Sequence, residues 1–71
     1  MSKNWPRLDR RKVRAQRALS GVEDGVALAE RLGVAKTTYY AWELGTRRIP
    51  PEKLKALAEV LGVAQKKLVG A

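Results

Sequence analysis

Residues 28–45 read LAERLGVAKTTYYAWELG, and the order of residue types in this stretch decides the fold. The segment reads as two short helices joined by a turn at Gly33, with Gly45 closing the second. Ala29 is small and sits where the two helices would meet. A small residue there lets two helices cross at a steep angle, and glycine makes a sharp turn without strain. Tyr39 and Trp42, three residues apart, form an apolar pair that would pin the second helix onto the core together with Val34. Its opposite face then projects, carrying Lys36, Thr37, Thr38 and Tyr40.

The flanking sequence supplies further helices. Residues 1–8 (MSKNWPRL) read as a flexible basic arm, since Pro6 blocks a continuous helix and Lys3, Asn4 and Arg7 are polar. Residues 9–71 read as one domain. Asp9 is a good N-cap for a first helix running to about Leu19, with Val13 and Ala18 facing inward. Arg10, Arg11, Lys12, Arg14 and Arg17 make that helix strongly basic, and Gly21 ends it. The next helix has two candidate starts. Ser20-Gly-Val-Glu23 fits a capping box, and Asp24 fits a cap with Gly25 as the first residue. Val22, Val26, Ala29 and Leu32 would share its inner face, with Leu28 beside it. After Gly45, residues 46–50 form a loop and Pro51 suits the first turn of a fourth helix. Leu54, Leu57, Ala58 and Leu61 follow helical spacing, Gly62 stops the helix, and Val63 to Val69 is expected to form a fifth. No strand pattern and no repeat is present. The expectation is an all-α, compact five-helix domain.

Composition narrows the function. At 71 residues the chain builds one small core. It has no cysteine and no histidine, which removes disulfides, thiolate metal sites and the commonest acid–base catalyst. Ser2 and Ser20 have no activating base nearby, the acids are dispersed, and no glycine-rich phosphate loop occurs. No catalytic, cofactor-binding or metal-ligating residues are therefore assigned, and an enzyme is not expected. There is neither a membrane-length apolar run nor a signal-peptide core, so a cytoplasmic setting is expected. Net charge is +8 and unevenly spread. Residues 1–20 hold seven basic groups against Asp9, whereas residues 21–45 are net acidic and residues 46–71 net basic again. Such a distribution suits a polyanionic partner, although a solvated basic face has the same charge.

From Leu28 onward the sequence LAERLGVAKTTYYAWELGTRRIPPEKLKALAEVLGV resembles the Cro/repressor-type helix-turn-helix regulators of phage and bacteria, the XRE-like and lambda-repressor-like domains. The resemblance covers roughly Val13 to Val69. It rests on the LA-x-x-LGV turn, the W-E-x-G end of the next helix, a basic loop ending in proline, and an LxxLAxxLGV helix. It implies a sequence-specific double-stranded DNA-binding transcriptional regulator, expected to be a repressor, with the third helix in the major groove. Lys36, Thr37, Thr38, Tyr40 and Ala41 then fall at DNA-facing positions. Lysine reaches guanine acceptors or phosphate, and threonine offers a hydroxyl and a methyl suited to thymine. Thr46, Arg47 and Arg48 fall where the family grips phosphate. Glu43 matches a glutamate that pairs with an arginine of the first helix, for which Arg17 is the first choice and Arg14 the second.

Three positions depart from the family pattern. Gly25 stands where the second helix commonly begins with glutamine, which leaves only a backbone N–H to meet a phosphate. Ala35 replaces the usual hydroxyl cap of the third helix, and Ala41 offers only a methyl. Lys3, Asn4, Arg7 and Arg10 are candidate arm contacts to DNA. A frayed end with Trp5 packed on the domain is the alternative. A homodimer on a palindromic operator would need contacts near the C-terminal end, where Val63, Leu68 and Val69 are the candidates; they also suit the core. The competing function is a protein-binding module on the same fold, an antitoxin or antiactivator, towards which Tyr40 and Ala41 lean. Bacterial or phage-infected cytoplasm is the setting this family implies.

Overall fold

In a computed structural model, which describes residues 4–22 and 24–70, the described residues form four α-helices, followed by a 3-10 turn near the C-terminal end. Asp9 starts the first, α1 (Arg10–Ser20), by accepting hydrogen bonds from the backbone N–H groups of Arg11 (2.9 Å) and Lys12 (3.2 Å). Those are two of the donors every helix leaves unsatisfied at its start. Of the two candidate starts for α2 (Gly25–Leu32), the Asp24 cap is the one formed, with the Asp24 carboxylate accepting from Val26 N–H at 2.9 Å. Gly33 then turns the chain at φ 73°, and α3 (Lys36–Leu44) follows. Pro51 opens α4 (Pro51–Leu61). The Lys53 ammonium donates to the Leu32 carbonyl at 2.9 Å, which places a cation at the negative end of α2 and ties it to α4.

Leu28, Ala29 and Leu32 of α2, Tyr39 and Trp42 of α3, and Leu54, Leu57, Ala58 and Leu61 of α4 close over Val13 of α1, with Leu8, Ile49 and Leu68 completing the core. Each fully buried large aliphatic side chain contributes about 1.5–3 kcal/mol. Two inward assignments are corrected. Ala18 is exposed, because five residues beyond Val13 is well off its helical face. Val26 is 38% exposed. With Val22 outside the helix, the inner face of α2 is set by Gly25, Leu28, Ala29 and Leu32, an i, i+3, i+4, i+7 series.

The expected fifth helix is also corrected. Residues 65–67 form a single 3-10 turn (Gln65–Lys67). Beyond it the backbone straightens to pair with the N-terminal segment. Leu8 and Val69 form an antiparallel bridge, Asp9 N–H donates to the Leu68 carbonyl (2.9 Å), and Gly70 N–H donates to the Arg7 carbonyl (3.2 Å). Lys12 Nζ takes the Val69 carbonyl at 2.9 Å. These bonds hold the segment in its extended path, and Leu68 reaches the core with 0% exposure. Trp5 to Leu8, read from sequence as part of an arm, lie along the domain. Leu8 is buried, Ile49 N–H donates to the Pro6 carbonyl (3.1 Å), and Arg48 Nη1 donates to the Trp5 carbonyl (2.9 Å). Lys3 lies outside the described residues.

Candidate nucleic-acid interface

The sequence of α3 sorts its side chains into two faces. Tyr39, Trp42 and Glu43 are buried. A buried carboxylate is costly unless it is paired and hydrogen-bonded, and Glu43 has both kinds of partner. Its Oε1 accepts from the Arg17 guanidinium in a salt bridge, and from the Tyr39 hydroxyl at 3.0 Å, one helical turn away. Arg17 is thus the partner of Glu43, while Arg14 is exposed. Burial works to lower the Arg17 pKa, but the hydrogen bond and charge of Glu43 outweigh it and leave the guanidinium above its ordinary value. Burial, followed by the charge and hydrogen bond of Glu43, raises the Tyr39 phenol. Through this cluster α1 and α3 are fixed to one another by charge as well as by packing.

On the other side, Lys36 and Thr37 are exposed, and Thr38 and Ala41 are half-buried. Leu44 is 54% exposed and lies seven residues after Thr37, on the same outward line. The helical spacing of Leu44 from Thr37 and Ala41 is the sequence signal for this position. Tyr40, expected to face outward, is half-buried instead. Its ring sits edge-on to Tyr39, with centroids 5.5 Å apart, and reaches back over Gly25, which is itself buried.

The loop after α3 divides into different tasks. The Thr46 hydroxyl donates to the Ala41 carbonyl at 3.1 Å and closes the helix end. Arg47 is exposed. Arg48 is half-buried and held by the Trp5 carbonyl. The Arg7 side chain passes beside Gly45, so it joins Arg47 and Arg48 near the C-terminal end of α3. Asn4 and Arg10 are exposed, as are Arg11, Lys12 and Arg14 on α1. Of the candidate dimer contacts, Leu68 is spent on the core, whereas Val63 and Val69 are half-buried.

Among the described residues, no group of three or more His, Cys, Asp or Glu side chains is arranged to hold a metal ion, and no helix is long and apolar enough to cross a membrane. A family model described as Helix-turn-helix matches residues 11–64. No curated protein gives a significant match, and no solved structure does.

Proposed function

Because the chain belongs to the Cro/repressor-type helix-turn-helix family of DNA-binding regulators, we propose that it is a sequence-specific regulator that lays α3 in the major groove of an operator. The observation that carries this reading is the division of α3. Tyr39, Trp42 and Glu43 lock its inner face, while Lys36 and Thr37 project at its N-terminal end and Arg7 and Arg47 gather near its C-terminal end. Lys36 and Thr37, with Thr38 and the Ala41 methyl at their flanks, read base edges. Arg47 and the exposed α1 arginines Arg10, Arg11 and Arg14 neutralise phosphates. Arg48 is half-committed to the Trp5 carbonyl and contributes charge from that fixed position. The expected mode of action is repression, with a bound operator excluding competing proteins. Two copies on a palindromic site would set their recognition helices about 34 Å apart, and Val63 and Val69 remain the candidate contacts between copies.

A salt titration tests the reading. Binding is measured to random duplex and to the DNA upstream of the protein's own gene. Phosphate neutralisation predicts that log K falls linearly with log salt, by about 0.9 for each phosphate contact. Affinity that ignores salt, or no binding at low salt, overturns it. A second reading, a protein-binding module, is favoured by the exposed Leu44 beside Ala41 on the outward face. In that case Leu44→Ser abolishes partner binding, whereas in the DNA reading it leaves the salt slope unchanged.

A further inference from the structure

Gly25 is the first residue of α2, yet its backbone gives no reason for glycine there. Its φ lies outside the left-handed range, and glycine in a helix is less favourable than alanine. The reason is steric. A Cβ built on Gly25 would stand 2.5 Å from the Tyr40 hydroxyl oxygen, 2.6 Å from Cζ and 2.7 Å from Cε1. These atoms belong to the far end of the Tyr40 side chain, so a side chain at position 25 would displace the ring rather than move the backbone. Edge-on packing against Tyr39 holds the ring from its other side. Tyr39 is in turn held by Glu43.

We infer that Gly25 and Tyr40 act as one unit in DNA binding: the Tyr40 ring fills the place of a residue-25 side chain and presents its hydroxyl there as a fixed donor to a phosphate oxygen. The inference rests on the proposed DNA reading and deepens it. On α3, Tyr40 lies between the buried line of Tyr39 and Glu43 and the outermost line of Thr37. Its hydroxyl therefore emerges at the junction with α2, beside the reading face rather than at its centre. That is the edge at which a helix lying in the groove meets the sugar–phosphate wall, so a contact there positions the protein and carries no base identity. A ring wedged between two helices has already lost its rotational freedom, so no further ordering is needed when DNA binds.

The test uses the full chain and five variants: Tyr40→Phe, Gly25→Ala, Gly25→Ala/Tyr40→Phe, Tyr40→Ala and Gly25→Ala/Tyr40→Ala. Tyr40→Phe keeps the ring and removes the donor. Loss of one such hydrogen bond to a charged acceptor is expected to weaken binding about tenfold, equally on operator and random duplex. Gly25→Ala leaves the hydroxyl in place chemically but expels the ring, and a loss of similar size is expected. The Gly25→Ala/Tyr40→Phe protein should bind no more weakly than the weaker single variant, because both changes remove the same contact. Wild-type affinity for Tyr40→Phe overturns the inference, as do losses that multiply in the double variant.

Melting temperatures read the packing separately, whether or not any duplex binds. With Tyr40→Ala in place the steric conflict is gone, and Gly25→Ala should raise Tm by a few degrees through helix propensity. With Tyr40 present it should give no rise. An equal rise in both backgrounds removes the coupling. Failure of the wild type to bind any duplex removes the DNA reading while leaving this thermal comparison intact.

Discussion

The two faces of α3 carry polar groups for opposite purposes. On the inner face Glu43 is paired and hydrogen-bonded, with the Arg17 guanidinium and the Tyr39 hydroxyl both on one carboxylate oxygen. On the outer face Lys36 and Thr37 stand in solvent. The difference shows which polar residues belong to the architecture and which to a partner. A polar group that has been taken out of water must have its bonds supplied by the fold, whereas an exposed group keeps its bonding capacity for a ligand. Mutations on the two faces should therefore separate cleanly, one set acting on stability and the other on recognition.

The largest effect is expected at the inner face. Glu43→Ala leaves the Arg17 charge without its carboxylate and the Tyr39 hydroxyl without its acceptor. Removing one member of a buried ion pair costs about 3–5 kcal/mol, against a total of about 4–10 kcal/mol for a domain of this size. Urea denaturation should show most of the stability gone. A loss under 1 kcal/mol would mean that this face is held by apolar packing alone.

A smaller and differently directed effect is expected at the outer face. Thr37→Ala and Lys36→Ala should each leave the urea midpoint nearly unchanged. They should alter discrimination at one or two base pairs, by about 1–3 kcal/mol per lost base contact. A panel of single-base operator variants reads this. If Lys36→Ala weakens every sequence alike, Lys36 is a phosphate contact and the reading face is narrower. Arg47→Ala supplies the control. It should weaken all sequences uniformly and reduce the salt slope by about 1. Arg48→Ala is a poorer control, because losing Arg48 also releases the Trp5 carbonyl from the loop.

The comparison of faces also explains which features were legible in the sequence. Asp9, Gly33, Tyr39, Trp42, Pro51 and the Leu54–Leu57–Ala58–Leu61 series act through local geometry, and local geometry is written in spacing. The Arg17–Glu43 pair came from the family pattern, and the structure forms it. Apart from Ala18, which lies off the Val13 face of α1, the misplaced residues depend on a contact distant in sequence or on a helix boundary. Val69 is drawn into pairing with Leu8 across the length of the chain, which leaves only a 3-10 turn where a fifth helix was expected. Val26 looked inward only while Val22 was counted as helical. Tyr40 looked outward because the absence of a side chain at Gly25, the cause of its burial, does not register in an apolar-spacing pattern. Position 25 was noted as a missing polar contact; the space it opened was the part that spacing did not show.

The smallest expected effect returns to the inner face and appears only at alkaline pH. Burial, then Glu43, raises the Tyr39 phenol above its ordinary value. Below about pH 10 the phenol is protonated in both states, and its full contribution to stability is present. Above that pH the unfolded chain releases the proton while the folded chain retains it. The unfolded state then binds fewer protons, and stability falls as pH rises. Tyr39→Phe removes this dependence, at a cost of about 1 kcal/mol near neutrality for the lost hydrogen bond. The two proteins should thus differ by a constant amount at neutral pH and converge above about pH 10. Other titrating groups, the lysines above all, act on both proteins alike and cancel in the difference. A gap that stays constant from neutral pH to about pH 11 would show that the phenol titrates equally in the folded and unfolded chains. It would also mean that the inner face is more open to water than its buried, paired carboxylate implies.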